Sequence, residues 1–230
     1  LTRHDRPLPR LVLLLSGAGS NLQAIIDAIE AGQLPARVVA VISNRADAAG
    51  LQRAARHGIP SQVISHRDHP DRASFDAALA SAIDHYQPDW VLLAGFMRIL
   101  TPQFVDHFRD RLLNIHPSLL PAYPGLDTHR RVLAAGEREH GATLHLVTEA
   151  LDAGPTVLQG RFAVEADDDA ATLAQKVHRL EHQIYPAALA LLVSGQLRID
   201  QGRLFYLDQP VPAEGLQWDQ VLGSVTPRCP

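Results

Sequence analysis

A single cysteine, Cys229, in 230 residues excludes an internal disulfide and a thiolate metal cage, and a reducing, cytoplasmic setting fits that scarcity. No basic block is present. The 21 Lys and Arg stand against 25 Asp and Glu for a net charge of −4, so a nucleic-acid surface has little electrostatic basis and a phosphate site has to be local. No apolar run reaches bilayer length. The longest, such as Leu11 to Leu15 and Val91 to Ala94, suit strands, and residues 1–10 are charged rather than signal-like, so neither a membrane span nor a leader is expected. His-Glu-x-x-His and clustered cysteines are missing, as is a Gly-x-Ser-x-Gly setting for Ser118, so neither a metal nor a hydrolase nucleophile is expected. What remains is a soluble chain, 46% hydrophobic, able to bury one large core.

Leu11 to Leu15 is a continuous apolar run, as in a strand buried on both faces. Ser16-Gly17-Ala18-Gly19-Ser20-Asn21 follows, and Leu22, Ile25, Ile26 and Ile29 then fall at helical spacing, with Ser20 or Asn21 as the expected cap. Free N–H groups and the positive end of the helix dipole make such a junction a phosphate site, although a turn that merely needs glycine explains Gly-x-Gly equally well. A dinucleotide fingerprint would need a third glycine where Leu22 stands and an acid where the second strand ends in Ser43-Asn44-Arg45, and no Gly-Lys-Ser/Thr follows. A monophosphate is the better guest.

Strand and helix go on alternating. A helix over 46–57, a strand near 62–65, a helix over 71–86 stopped by Pro88, a strand over 90–94 and a short helix from Thr101-Pro102 predict an α/β fold. The sheet is doubly wound and mostly parallel, with helices on both faces and ligands at the strands' carboxyl ends. A short helix over 128–136 precedes strands over 142–148 and 156–164. A long helix from 170 to about 194, kinked at Pro186 and capped by Gly195, leads to a hairpin around Asp200-Gln201-Gly202, which adds antiparallel strands toward the C-terminal part. One domain over 11–207 is expected, between tails at 1–10 and 208–230, the second docked through Trp218.

Leu112 to Gly125 organises the rest. Strand side chains alternate, so Asn114 and His116 point to one side, and Pro117, Pro121, Pro124 and Gly125 then turn the chain out of the sheet. An amide donor and an imidazole there suit a developing oxyanion with proton transfer, although a turn-capping asparagine and a satisfied histidine fit the same residues. Asp152, before Ala153-Gly154-Pro155, reads by itself as a turn aspartate, Gly95 to Leu100 as core, and Arg72 as a solvated charge.

Asn114-Ile115-His116-Pro117-Ser118-Leu119-Leu120-Pro121 resembles the signature of the 10-formyltetrahydrofolate-dependent formyltransferases, and Tyr123-Pro124-Gly125 resembles their phosphoribosylglycinamide branch. Gly17 to Ala24 is similar to the phosphate loop of the same enzymes, and Ala94 to Leu100 to the segment bordering the pteridine. The resemblance covers roughly residues 11–207 and implies formyl transfer from 10-formyltetrahydrofolate, as co-substrate, to the amine of 5-phosphoribosylglycinamide in purine synthesis. It implies Asn114, His116 and Asp152 as catalytic residues, with Asp152 orienting the histidine and favouring its protonated form. Gly19, Ser20, Asn21 and Glu181 would hold the phosphoribosyl substrate. Arg72, Met97, Arg98, Ile99, Leu100 and Asn114 would face the folate, with Arg98 at its glutamate tail. Ala18 stands where many relatives have asparagine, and Asp127 occupies a position of the Pro-Gly-x-x-Thr-His segment that is often histidine or alanine-like in relatives, while His129 keeps the final position; these changes bear on affinity more than on chemistry. A homodimer is a possible assembly; nucleic acid and membrane are not expected partners. A deformylase would need an N-terminal regulatory domain and a methionyl-tRNA formyltransferase a C-terminal RNA-binding one. Neither is expected here, and a silent binding module would have lost one of the three catalytic residues.

Overall fold

In a computed structural model of the chain, residues 7–219 and 221 are described. The elements run β1 (Arg10–Leu15), α1 (Ser20–Glu30), β2 (Arg37–Ser43), α2 (Ala49–Arg56), β3 (Ser61–Val63), α3 (Arg72–His85), β4 (Trp90–Leu93), α4 (Pro102–His107) and β5 (Leu112–His116). Then come α5 (Thr128–Ala134), β6 (Glu139–Leu146), β7 (Thr156–Ala163), α6 (Ala170–Ser194), β8 (Leu197–Asp200), β9 (Arg203–Tyr206), β10 (Gln209–Pro210) and β11 (Leu216–Gln217).

The main sheet has the order β11-β7-β6-β5-β4-β1-β2-β3, with β1 inside it, parallel to β2 and β4. That position explains the unbroken apolar run. Leu11, Leu13 and Leu15 enter one core with α1 and α6, while Val12 and Leu14 enter another with Phe75, Leu79 and Ile83 of α3. All five are fully buried, each leucine contributing roughly 2–3 kcal/mol. The pairings are parallel except along β6, which is antiparallel to both β5 and β7. β8, β9 and β10 form the small antiparallel sheet. The expected fold class is the observed one.

Local chemistry explains the element ends, with some corrections. Asp71 caps α3 by accepting from the Ser74 amide, and Thr101 caps α4 ahead of Pro102. The cap of α1 is Gly19, not Ser20 or Asn21. Its left-handed backbone, φ 71°, turns the chain, and a Cβ there would lie 2.6 Å from Gly50 Cα. The second helix starts later than periodicity suggests, because Ala48 is still extended and Arg45 pairs with Asp47 in the preceding turn. The long helix is capped at Asp169 by a reciprocal box with Thr172, continues through Pro186 and ends at Gly195 in the left-handed region.

Beyond residue 207 the chain contributes pairing that the sequence does not advertise. Gln209–Pro210 pair with β9, and Leu216–Gln217 lie parallel to Leu158 and Gln159 at the edge of the main sheet. Strands two residues long carry no readable alternation. Gly215, at φ 75°, allows the approach, since a Cβ there would meet Thr156 at 2.4 Å. Trp218 packs against the main core, as expected of the docking residue. Residues 1–6 of the expected N-terminal tail, and Cys229, lie outside the described residues.

Candidate active site

Asn114 and His116 stand on the same face of β5, and the reversal of β6 sets residues opposite them: Asn114 pairs with His145 and His116 with Thr143. The loop leaving β5 is fastened to these neighbours. Thr143 Oγ1 donates to the Ser118 carbonyl at 2.7 Å and accepts from the Leu120 amide at 3.1 Å. Gln159 Nε2 reaches the Leu120 carbonyl at 3.0 Å. Ser118, fully buried, donates to the Ala122 carbonyl at 2.7 Å, so its hydroxyl serves the loop.

His116 is buried, and its Nε2 lies 3.0 Å from the Tyr123 carbonyl, which can only accept. Its Nδ1 lies 3.4 Å from Asp152 Oδ2. Both ring nitrogens thus face acceptors, an arrangement that only the doubly protonated imidazole satisfies on both sides. Asp152 Oδ2 also accepts the Gly125 amide at 2.8 Å, tying the proline-rich loop to the carboxylate, and Asp152 holds φ at 50°. Such a backbone state is tolerated best by asparagine and aspartate among side-chain-bearing residues.

His145, almost fully buried, lies against both partners. Its Nε2 is 3.1 Å from Asn114 Nδ2 and 3.8 Å from Asp152 Oδ1. Burial holds its imidazole below the ordinary histidine range, partly offset by the Leu146 carbonyl and by Asp152. Sequence reasoning passed over His145, Thr143 and Gln159. The alternation of β6 places Thr143 and His145 on one face, but only the antiparallel register shows that this face meets the polar pair of β5.

Asn114, His145 and Asp152 line a cavity of about 120 Å³ with Leu93, Phe96, Arg98, Ile99, Leu100 and Leu151 among its apolar and basic walls. Of the expected folate-facing residues, Arg98, Ile99, Leu100 and Asn114 are at this cavity. Arg98 stacks over Phe75, 5.9 Å from the ring centre, and its Nε is buried without a protein partner. Met97 is 65% exposed outside the cavity lining, its amide held by Ser16 Oγ at 2.8 Å, and Arg72 is exposed at the start of α3.

The glycine loop lies at the carboxyl end of β1. Arg53 Nε braces it at the Ala18 carbonyl, 2.8 Å away. Ser20 opens α1, and Asn21 Nδ2 donates at 2.9 Å to Oε2 of Glu181 on α6, both side chains buried. Burial pushes the Glu181 carboxyl above the usual carboxylate range, against the opposing donation of Asn21. Four of the expected substrate residues, Gly19, Ser20, Asn21 and Glu181, therefore form one cluster. Ser16 joins it to the folate-side segment, because its hydroxyl donates to Asn44 Oδ1 at 2.6 Å and accepts from Met97. A larger hollow of about 660 Å³ between α1, α6 and Trp218 touches this cluster at Ser20 and Arg53 but contains none of Asn114, His116 or Asp152. The smaller cavity is the better reaction site because the polar groups converge there.

Residues 9–189 match the formyl transferase family. The phosphoribosylglycinamide formyltransferase of Escherichia coli K12 is 46% identical over 210 residues, which cover 91% of this chain and 99% of that enzyme. The chain belongs to the phosphoribosylglycinamide formyltransferase family. A phosphoribosylglycinamide formyltransferase from Coxiella burnetii, solved in complex with CHES, superposes with a TM-score of 0.88 at 48% identity, covering 92% of this chain and 99% of that one. The human trifunctional purine biosynthetic protein adenosine-3 is 41% identical over 213 residues, 91% of this chain but only 21% of the longer protein. The matched residues span the central sheet from β1 to β7, the glycine loop and the loop after β5. Among the described residues, no helix is long and apolar enough to cross a membrane.

Proposed function

We propose that the protein transfers the formyl group of 10-formyltetrahydrofolate to the amine of 5-phosphoribosylglycinamide, giving the formylglycinamide ribonucleotide and tetrahydrofolate. The observation that carries this reading is the meeting of Asn114, His116 and Asp152 beside an apolar cavity, in a chain that matches a phosphoribosylglycinamide formyltransferase over nearly its full length.

The chemistry needs little beyond donors and orientation. As the amine nitrogen bonds to the formyl carbon, the carbonyl electron pair moves to oxygen. Asn114 Nδ2 and protonated His116 supply hydrogen bonds to that oxyanion, each donor being worth roughly 3 kcal/mol in the transition state. At rest the two N–H groups of His116 face the Tyr123 carbonyl at 3.0 Å and Asp152 at 3.4 Å, and the donor to the oxyanion is one of these two. When the oxyanion collapses, the bond to the folate nitrogen breaks, and the proton lost by the amine passes to that nitrogen through His116 or a water. The glycine loop's free amides, with Glu181 beside them, hold the phosphoribosyl end. Leu93, Phe96, Ile99 and Leu100 suit a flat, weakly polar ring, and the unpartnered Arg98 Nε suits the carboxylate of a glutamate tail. The reading includes no metal and places the protein in the cytoplasm, with a homodimer allowed.

Release of tetrahydrofolate, followed by absorbance with and without phosphoribosylglycinamide, tests it. Release that requires the amine supports the transfer. Release without it indicates hydrolysis of the formyl donor, and none in either case refutes the assignment.

A further inference from the structure

His145 sits between a fixed backbone acceptor and the amide that the proposed reaction uses. Its Nδ1 lies 2.8 Å from the carbonyl of Leu146, the next residue. A carbonyl only accepts, so the Nδ1 carries the proton, and in the neutral ring Nε2 is left with a lone pair. That lone pair faces Asn114 Nδ2 at 3.1 Å, across a register pair of β5 and β6. The amide must therefore turn its NH2 group, not its oxygen, toward His145. One N–H is spent there, and the other is left for the cavity that Asn114, His145 and Asp152 share. Without an acceptor at that point, the two orientations of an asparagine amide differ little, and half of them present oxygen where an oxyanion would form.

We propose that His145 is a positioning residue that locks the Asn114 amide with its NH2 group toward the oxyanion, through the hydrogen-bond chain from Asn114 to His145 to the Leu146 carbonyl. The inference rests on the formyl-transfer reading for its catalytic consequence, though not for its geometry. It makes the neutral ring essential. A second proton on Nε2 would replace the acceptor by a donor and turn the amide over. The charged and titratable groups facing this ring are Asp152, with Oδ1 3.8 Å from Nε2, and His116 on β5; Thr156, its register partner on β7, is uncharged. Burial, the largest influence, favours the neutral form, as does the charge of His116, while Asp152 opposes them.

The test compares His145→Gln, whose side-chain oxygen can accept from Asn114, with His145→Leu, which cannot accept. Expected is a fall in kcat of about 10²-fold for His145→Leu, in the range for loss of one oxyanion donor, with KM for both substrates within about threefold of the parent. His145→Gln should recover kcat to within about tenfold of the parent. Equal kcat losses in the two variants, or a His145→Leu enzyme within threefold of the parent, would overturn the proposal. Since a buried leucine beside Asn114 can also impair folding, nitrogen chemical shifts of the histidine-labelled parent provide a second measurement. The Nδ1–H tautomer is expected at His145 near neutral pH, and the Nε2–H tautomer overturns the lock. Turnover of the parent tests the formyl-transfer reading separately, because the tautomer does not depend on which amine is the acceptor.

Discussion

Replacing Asp152 by Asn keeps the shape and one acceptor oxygen while removing the charge, so it separates the electrostatic role of Asp152 from its structural one. The carboxylate lies 3.4 Å from His116 Nδ1, with both side chains less than a tenth exposed. At an effective dielectric of about 20, attraction at that distance is about 5 kcal/mol. Desolvation of both groups offsets part of it, while breaking one side of a buried pair typically costs about 3–5 kcal/mol. If the charged imidazole is needed in the transition state, kcat for Asp152→Asn should fall by about 10³-fold, since each ~1.4 kcal/mol is a factor of ten in rate. The Gly125 amide still finds an oxygen in the asparagine, so the proline-rich loop should keep its anchor. KM for phosphoribosylglycinamide and for the folate should then stay within about threefold, and the urea midpoint should change little. Steady-state kinetics with both substrates varied, alongside an unfolding curve, is the assay. A kcat within tenfold of the parent would refute the electrostatic argument, and a large rise in KM with kcat preserved would show that Asp152 serves mainly to anchor the loop.

Gly19→Ala should raise KM for phosphoribosylglycinamide at least tenfold with little change in KM for the folate, because its Cβ would lie 2.6 Å from Gly50 Cα at a φ of 71° and displace the glycine loop. Isothermal titration with each substrate checks this, and equal weakening of both would count against the assignment of that loop. A second expectation concerns pH. His140 is buried against His129 and the edge of Phe162, and burial, followed by the charges of His129 and His116, holds its imidazole down to about 4. The unfolded chain takes up a proton at this position below pH 6.5 while the folded one does not, so stability is lost as pH falls from 6.5 toward 4. The loss is about 2 kcal/mol between pH 7 and 5, and His129, His145 and His182, all shifted down by burial, act in the same direction. Urea midpoints across that range should fall for the parent and fall less for His140→Gln; identical slopes would show that His140 is not the group responsible.

What was legible in the sequence, and what was not, follows from the range of the signals. Leu11 to Leu15 announced a strand buried on both faces because burial on both sides removes polar residues from every position, and β1 does lie inside the sheet. Gly195 marked the end of the long helix because caps are local chemistry. Asn114 and His116 were legible as a same-face pair for the same reason, since strand alternation needs no knowledge of neighbours. His145 was not, although its strand was. Alternation says that Thr143 and His145 share a face, yet whether that face meets solvent, core or the polar pair of β5 depends on which strand lies alongside and in which direction it runs. The direction matters because every other strand neighbour of β5 and β4 in the parallel part of the sheet is reached through a helix crossover, which leaves its polar ends spread along one edge. β6 runs back along β5 in a register that sets His145 beside Asn114 and Thr143 beside His116, and the following turn returns Asp152 to the same place. The reversed strand thus turns a polar pair at a sheet edge into an enclosed cluster of Asn114, His116, His145 and Asp152. In this register the residue beside Asn114 on β6 is His145, whereas its partner on the other side, in β4, is Leu93, which offers no side-chain acceptor.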